Sequence, residues 1–135
     1  AQSSYRIERT FSSIDESIAM SAMFAANHLD DIVAIVCLTE SGTTPLLSSR
    51  LSSMLPIYGV SRHLATCRRM ALYRGVIPIY FDVTAAKSDN WGALMDLIVQ
   101  RRELLPGQRV AITFGDLQGE GGSTNTLKIL QLAGN

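Results

Sequence analysis

The sequence predicts an α/β fold, a three-layer α/β/α sandwich around a five-stranded mixed sheet whose last strand is antiparallel. Three observations lead there. Asp31-Ile32-Val33-Ala34-Ile35-Val36-Cys37-Leu38 is a β-branched run without polar alternation, as expected of a strand buried on both faces of a parallel sheet. Strand patterns then alternate with helical patterns of about 10 to 15 residues, the length a parallel crossover needs. Finally, 135 residues with 47% hydrophobic content, 18% charge and a mean hydropathy of +0.16 can bury a core but not two of ordinary size. The chain is therefore read as a single domain over 1–135, with its core between residues 13 and 132.

Each element has a local reason. Ser13-Ile14-Asp15-Glu16 is a capping box, so a helix should start there and run to Asn27, with Ile18, Ala22, Ala25 and Leu29 at helical spacing. After the central strand, Pro45 suits the first turn of a helix continuing through Leu46, Leu47 and Arg50. Pro56 to Val60 reads as a strand, Ser61 as a helix cap, and Arg62 to Tyr73 as an arginine-studded helix closed by Gly75. Val76 to Phe81 is a third strand and Trp91 to Leu104 a helix ended by Pro106-Gly107. Arg109 to Phe114 supplies the fourth strand, and Leu127 to Leu132 alternates as an antiparallel edge strand.

Composition excludes several functions. Twelve basic residues balance twelve acidic ones, so no global positive field recruits nucleic acid or an anionic membrane. The longest apolar run, Ile32 to Leu38, is far below the roughly 18 residues a membrane span needs. The N-terminus lacks signal-peptide features, and a start without Met is expected of a chain processed or cut from something longer. Cys37 and Cys67 have no CxxC spacing, which predicts two reduced, buried thiols in a cytoplasmic protein. No catalytic residues and no metal ligands are assigned: His28 and His63 read as caps or surface residues, and the pairs Asp15-Glu16 and Asp30-Asp31 have ordinary capping and dipole explanations.

What remains is a place for an anion. In an open parallel sheet, ligands sit beyond the carboxyl ends of the strands. Thr39-Glu40-Ser41-Gly42-Thr43-Thr44 combines hydroxyls, a glycine and a helix N-terminus, a set suited to a phosphate. The second strand-end loop carries Gly119, Gly121, Gly122, Ser123 and Thr124, and the two loops are expected to converge. Neither is a Walker motif, since GxxxxGK[ST] is missing and no lysine stands in them. Glu40 and Glu120 would repel a phosphate unless they turn away. Arg62 at a strand-end turn and the flat face of Trp91 are further candidate contacts, while Arg68 and Arg69 read either as a solvated face or as partners for acids on a neighbouring subunit. The bland alternative is that the Ser, Thr and Gly residues only cap helices and make turns.

The order of Thr39-Glu40-Ser41-Gly42-Thr43-Thr44, Leu47, Ser49-Arg50, Pro56-Ile57, Val60-Ser61, Ala71-Leu72-Tyr73-Arg74-Gly75-Val76-Ile77-Pro78, Pro106-Gly107-Gln108 and Gly122-Ser123-Thr124-Asn125-Thr126 resembles the C-terminal domain of pyruvate kinase over residues 13–132, most closely the bacterial second type. The resemblance implies an allosteric effector-binding and oligomerisation domain. Its expected partners are a phosphorylated small molecule such as AMP or a sugar monophosphate, its own catalytic barrel, and identical subunits of a homotetramer. It implies that Thr39, Ser41, Gly42, Thr43 and Thr44 grip the effector phosphate and that the segment from Gly119 to Thr124 closes over it. No cofactor is expected in this domain; Mg2+ and K+ belong to the barrel, which transfers phosphoryl from phosphoenolpyruvate to ADP, and these 135 residues alone should lack that activity. Many family members activated by fructose 1,6-bisphosphate carry a basic residue near Glu40 or Thr43, and its loss here points to a monophosphate or nucleotide effector. Two other readings are a stand-alone α/β phosphate-ligand-binding protein and a structural interaction domain with vestigial effector loops.

Overall fold

The computed structural model describes residues 13–51, 55–82, 90–102, 105, 107–115 and 124–132. Its elements are α1 (Ile14–His28), β1 (Ile32–Leu38), α2 (Thr43–Arg50), β2 (Ile57–Ser61), α3 (Leu64–Met70), β3 (Val76–Tyr80), α4 (Asn90–Arg102), β4 (Arg109–Phe114) and β5 (Thr126–Gln131). The strands form one sheet in the order β3-β2-β1-β4-β5, parallel except for β5, which pairs antiparallel with β4.

Connection handedness explains the layers. The steps from β1 to β2 and from β2 to β3 move in one direction along the sheet, so right-handed crossovers put α2 and α3 on one face. The step from β3 to β4 returns past β1 in the other direction, and the same rule puts α4 on the opposite face. Side chains follow. Ile35 and Cys37 of β1 pack with Met23, Cys67 and Met70, whereas Ala34 and Val36 pack with Leu94 and Ile98 of α4. The central strand is thus buried on both faces, which is why it shows no polar alternation. The link from β4 to β5 carries no helical pattern long enough for a crossover, so β5 returns antiparallel.

Three local readings are corrected. Ser61 is the last residue of β2 and not a helix cap; its hydroxyl accepts from the His63 amide at 3.1 Å, and His63 is the N-cap of α3. The helix expected over 62–73 is only α3, because Arg62 and His63 continue the strand-end turn and the chain leaves the helix at Ala71, whose amide bonds the Cys67 carbonyl. In α1 the buried stripe is Ala19, Ala22 and Met23, not one ending at Leu29. Leu29 takes extended angles as the C-cap and stays exposed. The Ser13 half of the capping box forms, with the Glu16 amide donating to Ser13 Oγ at 3.2 Å.

Small α1 residues let it lie close to the sheet, and Met70 closes the gap on the same face. A side chain at Gly59 would come within 2.4 Å of Met70 Sδ, and one at Gly42 within 3.5 Å of its Cγ. Met70 is fully buried between β2 and the loop after β1. Met70→Ala should therefore cost about 2–5 kcal/mol, read as a lower urea midpoint with an unchanged slope.

Candidate phosphate site at the strand ends

The sheet order makes β1 and β4 neighbours whose onward connections run in opposite directions, the switch point at which open α/β sheets form a crevice. The loop after β1 and the chain entering β5 both lie at this end. Convergence is direct: Thr44 Oγ1 donates to Thr124 Oγ1 at 2.7 Å across 80 residues, and both residues are buried. The Thr124 amide donates to Asp15 Oδ1 at 2.8 Å, adding the first turn of α1. Gly119, Gly121, Gly122 and Ser123, with Glu120, lie outside the described residues, as does the side chain of Trp91.

Gly42 sets the loop's shape. It is the N-cap of α2 at φ +87°, a left-handed conformation that costs a residue with a Cβ. The Tyr73 hydroxyl, 3.2 Å from where that Cβ would lie, closes the space as well. The Gly42 amide donates to Thr39 Oγ1 at 2.8 Å and the Thr43 amide to Ser41 Oγ at 3.3 Å, while Ser41 Oγ and Thr43 Oγ1 are 2.9 Å apart. Thr39, Ser41, Gly42 and Thr43 therefore form one connected group of hydroxyls and amides on the α2 N-terminus, with Ser41 and Thr43 exposed.

The other side of the loop is braced by α3. Thr66 Oγ1 donates to the Glu40 carbonyl at 2.7 Å, and Arg69 Nη2 donates to the Ser41 carbonyl at 3.0 Å and to Thr66 Oγ1 at 3.3 Å. Arg69, read from the sequence either as part of a solvated face or as a subunit contact, bonds the loop of its own chain through Nη2. Glu40 turns away from the loop's hydroxyls: Arg62 Nε donates to both its carboxylate oxygens, at 3.0 and 3.2 Å, and His63 Nε2 donates to Oε2. Partial burial pushes the Glu40 carboxyl up, but the Arg62 and His63 hydrogen bonds and charges outweigh it and hold it below the usual carboxylate value.

Asp15, His63, Thr66 and Arg69, which the structure adds to this loop cluster, are not among the candidates read from the sequence. One signal was available for Glu40. The β1–β2 register pairs Leu38 with Val60, so the same offset of 22 residues brings Glu40 opposite Arg62 just past the strand ends. Nothing in the sequence linked Asp15 to Thr124, 109 residues away. Among the described residues no group of three or more His, Cys, Asp or Glu gathers as a metal site would, and no helix is long and apolar enough to cross a membrane.

Residues 16–130 match the family described as "Pyruvate kinase, alpha/beta domain". The chain belongs to the pyruvate kinase alpha/beta domain family. It is 48% identical over 130 residues to the pyruvate kinase of Buchnera aphidicola subsp. Baizongia pistaciae, covering 96% of this chain and 27% of that protein. It is 45% identical over 128 residues to pyruvate kinase II of Salmonella typhimurium, again 27% of the relative, and 32% identical over 126 residues to the pyruvate kinase of Geobacillus stearothermophilus, 21% of it. The chain thus spans about a quarter of these relatives' length. The resemblance and the fold agree: the alpha/beta domain has the five-stranded mixed sheet with its last strand antiparallel.

Two predictions follow from these ionisable groups. Because Glu40 has a lower pKa folded than unfolded, its ion pairs stabilise fully above the ordinary carboxylate value and are lost as pH falls through the lowered one. With Glu40 more than a third exposed, Glu40→Gln should change stability at neutral pH by at most about 1 kcal/mol and flatten the acid limb of a denaturation-versus-pH curve. Burial pushes the Cys37 thiol up to about 11 against hydrogen bonds from Thr113 and Ser48, and burial also raises Cys67. Both thiols are free and buried, so neither should react with a thiol reagent at pH 8 until denaturant unfolds the chain, when both react.

Proposed function

We propose that the chain is the regulatory, effector-binding and subunit-assembly part of a cytoplasmic pyruvate kinase. It binds a phosphorylated metabolite such as AMP or a sugar monophosphate at the loop after β1. The barrel that precedes it in the whole enzyme carries out phosphoryl transfer from phosphoenolpyruvate to ADP with Mg2+ and K+, in the service of glycolysis, and identical copies assemble a homotetramer. One observation carries the ligand reading: Thr39, Ser41, Gly42 and Thr43 gather hydroxyls and amides on the α2 N-terminus at the β1/β4 switch point, with Thr44 joined there to Thr124. A phosphoryl oxygen would replace the internal hydroxyl partners of the Gly42 and Thr43 amides, exchanging one hydrogen bond for a charge-assisted one. Arg62, already neutralised by Glu40, supports a single phosphate rather than two. The ligand's differential affinity for two subunit arrangements would then bias the distant active site.

The reading of a structural domain with vestigial loops draws on the same hydrogen bonds, since the loop satisfies two of its own amides. Titration separates the two. AMP or ribose 5-phosphate should raise the Tm of the chain by several degrees at about a hundredfold excess over Kd, and fructose 1,6-bisphosphate should raise it less. Thr43→Glu, an exposed change that puts a carboxylate at the phosphate's place, should abolish the rise while leaving the ligand-free Tm nearly unchanged. No response by the unaltered chain to any of the three ligands would refute the ligand reading.

A further inference from the structure

Asp15 is the second residue of α1, where its sequence context assigns it to capping or to the helix dipole. The cap is already made by Ser13, whose Oγ accepts from the Glu16 amide. The Asp15 carboxylate goes elsewhere, to a backbone amide 109 residues away. That amide belongs to Thr124, which is buried and lies just before β5: the next amide, of Asn125, donates to the Phe114 carbonyl at 3.0 Å, whereas the Thr124 amide turns to Asp15. A buried amide outside the ladder must find another acceptor, and an ionised carboxylate makes the stronger, charge-assisted bond. Thr124 in turn accepts the hydroxyl of Thr44, itself buried in the first turn of α2. The starts of α1, α2 and β5 are thereby joined in series through three side chains, and the chain of bonds ends two residues from Gly42.

We infer that Asp15 is a positioning residue for the strand-end site, holding Thr124 and through it Thr44, so that a change at the α2 N-terminus is felt at the first turn of α1. This rests on the phosphate-binding reading above. A ligand that draws the Thr44 hydroxyl or shifts the first turn of α2 acts on Thr124 and so on Asp15. α1 is the helix that leads into the sheet and it packs against α2, which makes its first turn the exit for that change.

The test uses amide NMR on the 135-residue chain, with AMP as the probe and inorganic phosphate as the minimal one. Without ligand, the Thr124 amide should exchange slowly, exchange at least tenfold faster in Asp15→Ala, and recover part of its protection in Asp15→Asn, whose carbonyl oxygen still accepts. With AMP, shifts at residues 41–44 should extend to residues 13–16 in the unaltered chain. In Asp15→Ala they should stop at the loop, and AMP should bind about tenfold more weakly, a loss of about 1.4 kcal/mol. If the alanine variant does not fold, the asparagine variant carries the same comparison with a smaller effect. Unchanged Thr124 exchange in the variants, or unchanged reach of the AMP shifts, overturns the inference while the phosphate reading stands. Absence of any AMP or phosphate shift in the unaltered chain overturns the phosphate reading, and the coupling with it, leaving the exchange data to report on the Asp15 bond alone.

Discussion

Burial of β1 on both faces, between two parallel neighbours, is the constraint on which the rest of the molecule depends. It demands a layer of helices on each side, and right-handed crossovers can supply both only if the chain reverses its direction of travel across the sheet. The reversal falls between β1 and β4. The same requirement that covers Ile35 with Met70 and Val36 with Ile98 therefore opens the crevice at the strand ends. The site is a consequence of how the core is covered.

The site itself is built with its charges already answered. Glu40, the described loop's one carboxylate, is turned outward onto Arg62 and His63, and Arg69 is spent on the Ser41 carbonyl. The loop's brace on α3 thus uses side chains that bind backbone carbonyls, while the Gly42 and Thr43 amides are met by the loop's own hydroxyls. Pairs this exposed add little to stability, so their contribution is to the loop's shape.

Much of the fold was legible because its signals are local. The capping box at Ser13, the unbroken apolar run of β1, Pro45 in a first turn and the alternation of the last strand each act within a few residues, and each element formed within one or two residues of its expected bounds. The exception was α3. Its arginine-studded pattern looked helical from Arg62 to Tyr73, but Arg62 and His63 are held by Glu40 and Ser61 in a strand-end turn, a tertiary contact overriding propensity. The turn chemistry of the loop after β1 was likewise readable, since a glycine among hydroxyls at a strand-to-helix turn supplies caps and a left-handed position.

By itself, then, the sequence determined the element types, the doubly buried central strand, the family and the hydroxyl-rich loop, all of which rest on short-range periodicity and turn chemistry. Only the tertiary structure decided what those groups touch. From the sequence, Glu40, Arg69 and Asp15 each had an ordinary local reading as a loop charge, a solvated helix face or a helix-start acid. Their partners stand 22, 28 and 109 residues away, and such contacts follow from strand order and register, which no local pattern encodes.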